Sequence, residues 1–279
     1  MTTPYNLARN MLSSIKHLII DMDGVLWHGD TPMPGLPDFF EGLRAMGIRF
    51  MLATNNASKS AGDFAAKLAH MGARVSLDEI MTSSIATATL LAAESPGARV
   101  GVVGEDGLKS ELRARGLSVL EQERWADDAE IITVGIDRKL TYAKLVDACL
   151  AIRRGARFVA TNPDVTFPGE RGIVPGNGAI VAALRVSTGV EPRVVGKPMP
   201  DMMLQCMQIM RCTPATTAAL GDRLDTDILG GQRAGLHTVM VTSGVNTRDD
   251  VARCDIKPDY IFDDITQVLI ALRAALRAA

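Results

Sequence analysis

The sequence predicts an α/β protein built on parallel strands. Short apolar runs alternate with segments of helical character along the chain. Several of these runs break off abruptly into polar residues and glycine, as buried parallel strands do at the sheet edge where ligands bind. The sharpest case is His17-Leu18-Ile19-Ile20, which runs straight into Asp21-Met22-Asp23-Gly24. Two carboxylates one residue apart are costly to hold together unless a cation or a proton separates their charges.

The elements follow in order. The strand through Ile20 leads into a loop carrying Trp27, His28, Gly29, Asp30 and Pro32, with His28 read as an exposed residue. A helix is expected from about Leu36 to Met46, then an apolar strand from Ile48 that ends in Thr54-Asn55-Asn56. Ser60 caps a helix to about Met71, and Ile80-Met81-Thr82 reads as a short third strand. A second α/β run extends from there to Val194. Its strands are expected from Arg99 to Val103, Ile131 to Val134 and Arg157 to Thr161, with helices near Leu108 to Arg115, Tyr142 to Arg153 and Ala179 to Thr188. Val194-Val195-Gly196-Lys197-Pro198 then sets a lysine in a tight turn. A helix near Met202 to Met210 precedes the strand Ala218-Ala219-Leu220, which ends in Gly221-Asp222 and the cluster Asp225-Thr226-Asp227. A helix from about Asp227 to Ala234, a strand from His237 to Val241 and a closing helix from about Thr266 complete the chain. The Ala/Arg-rich end after Ala271 reads as a solvated helix tail.

Composition narrows the function. The 279 residues are 47% hydrophobic and 22% charged, which is ordinary for a globular protein with an ample core. A net charge of −2 argues against a nucleic acid polymer as partner, since bulk binding of that kind needs a basic surface. Cys149, Cys206, Cys212 and Cys254 show no metal-ligand spacing and read as reduced thiols of a cytoplasmic protein. The first residues lack a signal-peptide pattern, and no apolar stretch reaches the roughly 20 residues of a membrane helix. Gly101-Val102-Val103-Gly104-Glu105-Asp106-Gly107 follows a strand, but its glycines are misplaced for a dinucleotide loop. The methionines from Met199 to Met210 read as core packing.

In their order along the chain, four segments resemble the motifs of the haloacid dehalogenase superfamily of phosphotransferases. Asp21-Met22-Asp23-Gly24 is similar to the nucleophile motif, Thr54 to the hydroxyl motif and Lys197 to the basic motif. Gly221-Asp222 through Thr226-Asp227 is similar to the acidic motif. Thr54-Asn55-Asn56, Ala160-Thr161-Asn162-Pro163-Asp164 and Pro175-Gly176-Asn177-Gly178-Ala179 resemble the branch of nitrophenylphosphatase, nucleotide, sugar-phosphate and pyridoxal-phosphate phosphatases. Val25 departs from the pattern, standing where the superfamily commonly has Thr.

The resemblance implies a Rossmann-like parallel-sheet core with an inserted α/β cap domain. The core would comprise residues 1–83 and 194–279, and the cap residues 84–193. It also implies a Mg²⁺-dependent phosphomonoester hydrolase with an aspartyl-phosphate intermediate, Asp21 being the nucleophile and Asp23 the general acid and then base. Asp21, the backbone carbonyl of Asp23 and Asp222 would hold the metal, with Asp227 orienting from behind. Thr54 and the Asn55 backbone would hold phosphoryl oxygens beside Asn56, and Lys197 would neutralise their charge. Residue chemistry agrees, because a phosphomonoester dianion needs charge neutralisation, an in-line nucleophile and an acid for the departing oxygen.

In related phosphatases the loop corresponding to Thr161–Gly169 descends from the cap onto the leaving group. That makes Asn162, Asp164 and Phe167 candidate substrate contacts, with Phe167 either stacking on an aromatic ring or packing within the cap. The partner is then a small phosphorylated metabolite; nucleoside monophosphates, sugar phosphates, phosphoglycolate and pyridoxal phosphate all stay open, as does a homodimer. A noncatalytic binding protein and a phospho-aspartate switch are the rival functions on such a fold. The complete motif set favours the enzyme.

Overall fold

The computed structural model describes residues 12–169 and 172–277. The strands in chain order are β1 (His17–Ile20), the short hairpin β2 (Trp27–His28) and β3 (Thr31–Pro32), β4 (Arg49–Thr54) and β5 (Ile80–Thr82). Next come β6 (Arg99–Val103), β7 (Ser118–Val119), β8 (Ile131–Val134), β9 (Arg157–Ala160), β10 (Thr166–Gly169), β11 (Gly172–Pro175) and β12 (Arg193–Val194). The last three are β13 (Thr217–Gly221), β14 (His237–Val241) and β15 (Tyr260–Phe262). Contacts divide the chain into two compact units. Among the described residues, the first holds those up to Thr54, Ala61–Met81 and those from Met203 onward, and the second holds Asn55–Ser60 and those between Thr82 and Met202.

The first unit is a six-stranded sheet in the order β15-β14-β13-β1-β4-β5. β1 lies between β13 and β4, parallel to both, with Ile20 opposite Leu220 and Leu52. Every residue of β13 is buried, as is all of β4 after Arg49, which is why both runs are apolar without alternation. The helix Leu36–Ala45 buries Leu36, Phe39, Phe40 and Leu43. The final helix, Ile265–Arg277, buries Ile265, Val268, Leu269, Leu272 and Ala275, an i, i+3, i+4 stripe. The helical end expected after Ala271 is present but only one face of it is solvated, because Leu272 and Ala275 continue the core-facing stripe. The two helices approach so closely that a β-carbon at Gly42 would lie 2.6 Å from Leu269 Cδ1.

The second unit is a five-stranded parallel sheet ordered β12-β9-β8-β6-β7, with the antiparallel hairpin β10–β11 beside it in sequence. Its core gathers Val103, Ile132, Val134, Phe158, Leu184 and Trp125, whose indole N–H is satisfied by the Leu120 carbonyl at 3.1 Å. The unit is longer than the expected 84–193 for a physical reason. β12 pairs with β9, and beyond it Val195 and Gly196 keep hydrogen-bonding to Ala160 and Thr161. The loop after Thr54 joins too, since the Ser83 and Ser84 hydroxyls donate to the carbonyls of Asn55 and Ala57. Those serines open a helix, Ser83–Glu94, capped by the Thr82 hydroxyl, which accepts from the Ile85 N–H at 3.1 Å. No helix among the described residues is long and apolar enough to cross a membrane.

Candidate active site

In the first unit, carboxylates gather where β1 and β13 end side by side. Asp21 is the residue after β1 and Asp222 the residue after β13. Asp227 is returned to them by a π-helical turn, Leu224–Ile228, that precedes the helix Leu229–Arg233. Asp21, Asp222 and Asp227 each offer an oxygen within 4.8 Å of the others. Asp222 and Asp227 are almost fully buried. Three carboxylates so close, with two removed from water, are stable only with compensating positive charge, and an all-oxygen donor set suits a hard divalent cation such as Mg²⁺. The site fits that metal. The Asp23 side chain stands outside the group. It is exposed, and its Oδ1 accepts the Trp27 indole N–H at 2.7 Å.

Backbone shape holds the acids in place. Gly24 has φ +83°, and a β-carbon there would lie 2.5 Å from Asp222 Oδ2. A β-carbon at Gly244 would fall on the same carboxylate. Val245 N–H donates to Asp222 Oδ2 at 2.7 Å, and Asn246 N–H to the Asp222 carbonyl at 3.2 Å. Asn246 Oδ1 accepts from Leu224 N–H, and the Ser243 hydroxyl donates to the Gly24 carbonyl. Asp227 Oδ2 accepts from Arg223 N–H at 3.1 Å, closing its own turn. The stretch Ser243 to Asn246 is thus a support that sequence reasoning missed. Its only signal was a Ser-Gly pair following the strand that ends at Val241.

Thr54 closes β4 two positions beyond the β1 pairing and is buried. In the second unit, Asn55, Asn162, Asp164 and Lys197 come together. Asn55 Nδ2 donates to the Lys197 carbonyl at 2.8 Å and to Asp164 Oδ1 at 3.2 Å. Asn162 Nδ2 donates to the Asn55 carbonyl at 2.7 Å, and Asn177 Nδ2 to the Asn162 carbonyl at 2.7 Å. Lys197 is buried, at 3% exposure. Asn56 Oδ1 accepts from the N–H and hydroxyl of Ser58.

The run ending at Gly169 is not wholly a loop, because Thr166–Gly169 forms β10. Phe167 on that strand is half-buried, with the Arg138 guanidinium 5.8 Å from its ring centroid. Glu105 holds that guanidinium through both carboxylate oxygens, at 2.9 and 3.0 Å.

Comparison with known proteins points the same way. Residues 18–118 match the haloacid dehalogenase-like hydrolase family, and residues 194–268 a second, HAD-hydrolase-like family. An acid sugar phosphatase of Staphylococcus saprophyticus is 39% identical over 258 residues, covering 92% of this chain and 98% of that protein. Among solved structures, the p-nitrophenyl phosphatase of Archaeoglobus fulgidus superposes with a TM-score of 0.87 at 37% identity, covering 92% of this chain and 99% of that one. A glycerol phosphate phosphatase of Mycobacterium tuberculosis in complex with magnesium gives 0.85 at 38% identity, covering 94% and 78%. The order of the motifs, the strand-end carboxylates and these likenesses converge: the chain belongs to the haloacid dehalogenase-like hydrolases and is a phosphatase of the nitrophenylphosphatase-like branch.

Proposed function

We propose that the protein is a Mg²⁺-dependent hydrolase of small phosphomonoesters that works through a phosphoenzyme on Asp21. The observation that carries this reading is the meeting of Asp21, Asp222 and Asp227 at the carboxyl ends of adjacent parallel strands. Asp21, Asp222 and the Asp23 backbone carbonyl hold the metal, with Asp227 steadying the arrangement. Mg²⁺, when bound, supplies charge neutralisation for the phosphoryl group.

The residues then divide the reaction. A carboxylate oxygen of Asp21 forms a bond to phosphorus while the ester P–O bond breaks, its electron pair staying on the substrate oxygen. Asp23 gives that oxygen a proton. In the second half Asp23 takes a proton from water as the water oxygen attacks phosphorus, and the P–O bond to Asp21 breaks to restore the carboxylate and release phosphate. The Thr54 hydroxyl and the Asn55 N–H hold phosphoryl oxygens, and Lys197 balances their charge. Asn162 serves by bracing the Asn55 carbonyl, which accounts for its burial. We assign residues 84–193 and their flanking segments as the cap, with Asp164 and Phe167 on its leaving-group side.

Sugar and polyol phosphates are the first substrates to test, because relatives covering nearly the whole chain are named for sugar and glycerol phosphates. Four free cysteines accord with work in the reducing cytoplasm. The decisive experiment assays nitrophenyl phosphate hydrolysis with and without exhaustive chelation, alongside Asp21→Asn. Activity should need Mg²⁺ and vanish in the variant, and beryllium fluoride should be trapped on Asp21. Full activity after chelation, or an active Asn variant, refutes the reading. A phosphoenzyme that forms but persists for hours would favour the switch instead.

A further inference from the structure

The loop between β1 and β2 folds back on itself. Leu26 N–H donates to the Met22 carbonyl and Gly24 N–H to the Trp27 carbonyl, both at 2.8 Å, and Asp23 forms an isolated bridge with Trp27. This reversal sets the Trp27 side chain beside the Asp23 carboxyl, with Nε1 2.7 Å from Oδ1. Trp27 itself is wholly buried. Its ring stacks on Phe64, centroids 6.5 Å apart at 19°, and carries the Lys67 ammonium 4.7 Å from its centroid. Lys67 also donates to the Gly29 carbonyl at 2.6 Å and pairs with Asp30 at 3.5 Å, so the hairpin is clamped over the indole.

A buried indole N–H needs an acceptor, and a backbone carbonyl satisfies that need elsewhere in this chain, at Trp125. At Trp27 the acceptor is an exposed carboxylate, a group that would otherwise be free to rotate. We infer that Trp27 is a positioning residue for the proton transfer at Asp23. The indole donates and cannot accept. When Asp23 is a carboxylic acid, its carbonyl oxygen is the better acceptor and takes the indole N–H as Oδ1. The transferable proton then sits on Oδ2, aimed away from the indole. Trp27 thereby decides which oxygen gives the proton to the leaving group and holds it there through both half-reactions.

This inference rests on the acid–base reading of Asp23, and leaving-group dependence tests the two separately. A nitrophenolate leaves with little protonation, whereas an alkoxide needs it. Trp27→Phe keeps a ring against Phe64 and removes the N–H. It should lower kcat/KM for glycerol phosphate about tenfold more than for nitrophenyl phosphate, a modest share of the 10²–10⁴ that general acid catalysis supplies. In the Asp23→Asn background the same change should add no further selectivity. Should Trp27→Phe fail to fold, benzothienylalanine at position 27 keeps the bicycle with sulfur in place of N–H and should show the same selectivity. A selective Asp23→Asn beside an unselective position-27 variant overturns the inference alone. If Asp23→Asn loses both substrates equally, the acid reading falls and Trp27 falls with it.

Discussion

Asn55 donates a side-chain N–H to the Lys197 carbonyl at 2.8 Å, joining residues 142 positions apart. The same amide nitrogen reaches Asp164 Oδ1, and Asn162 holds the Asn55 carbonyl from the other side. One side chain therefore sets the position of the residue whose N–H is assigned to phosphate and of the turn that carries Lys197, the lysine proposed to balance phosphoryl charge. Asn55→Ala should lose about 1–3 kcal/mol of stability, the usual cost of breaking a buried hydrogen bond. It should also lower kcat/KM by more than tenfold, since about 1.4 kcal/mol of transition-state stabilisation is a factor of ten. Mg²⁺ affinity, assigned to other residues, should be kept. Urea titration, steady-state kinetics and calorimetry check the three parts, and a fall in Mg²⁺ affinity would contradict this division of labour.

The acidic group makes an opposite pair of demands with and without metal. Metal-free, Asp21, Asp222 and Asp227 repel within 4.8 Å of one another. Asp222→Asn removes one charge while Nδ2 or Oδ1 occupies the same volume. The metal-free variant should be as stable as the wild type or more so. Saturating Mg²⁺ should raise the wild-type Tm and leave the variant nearly unmoved, because a ligand stabilises only the state that binds it. Thermal melts across a Mg²⁺ series give the answer. Equal Tm gains in both proteins would remove Asp222 from the metal role.

The legibility of the chain follows from this chemistry. β1, β4 and β13 could be read because each is an apolar run that breaks off at a polar residue: Asp21, Thr54 and Asp222. The helix Ser83–Glu94 could not. Its sequence mixes Thr and Ile with Ala and Leu and has no charge until Glu94, so no polar face marks the helical period. β15 and the helix Arg248–Arg253 are short elements in a polar stretch and gave no periodic signal. The run Thr161–Gly169 reads as a loop because Pro163, Pro168 and Gly169 punctuate it, and Gly172–Pro175, which pairs with its end, carries no strand signal of its own. At the site, the carboxylates were legible one by one. Their support was not: Val245 and Asn246 reach Asp222 through backbone N–H groups that no side-chain motif encodes, and Trp27 reads as one more apolar loop residue.

Stability should carry a pH signature from β1. His17 has its pKa held below the ordinary histidine value chiefly by burial, which outweighs an opposing pull from the Thr216 backbone hydrogen bond, with the nearby Arg49 charge adding a lesser downward push. The folded state therefore resists protonation that the unfolded chain accepts. As pH falls through about 6.5, the ordinary value, the unfolded state binds more protons and stability declines. The decline ends once pH passes below the depressed folded value. Urea midpoints measured from pH 8 to 5 should show this loss in the wild type and less of it in His17→Gln. Identical slopes would assign the acid sensitivity to other groups.

Phe167 provides the test of the cap's part in substrate choice. One side of its ring faces the Arg138 guanidinium, which is itself paired with Glu105. Losing a base–aromatic stack costs roughly 1–3 kcal/mol, about ten- to a hundred-fold in affinity. Phe167→Ala should lower kcat/KM by that factor for aryl and nucleoside phosphates and much less for glycerol phosphate, which has no ring to stack. Arg138→Met separates stacking from support, because it removes the cation and leaves the ring. It should spare aromatic substrates more than Phe167→Ala does. Equal losses on all substrates in both variants would mean that the ring exists to seat Arg138, and the stacking role would be withdrawn.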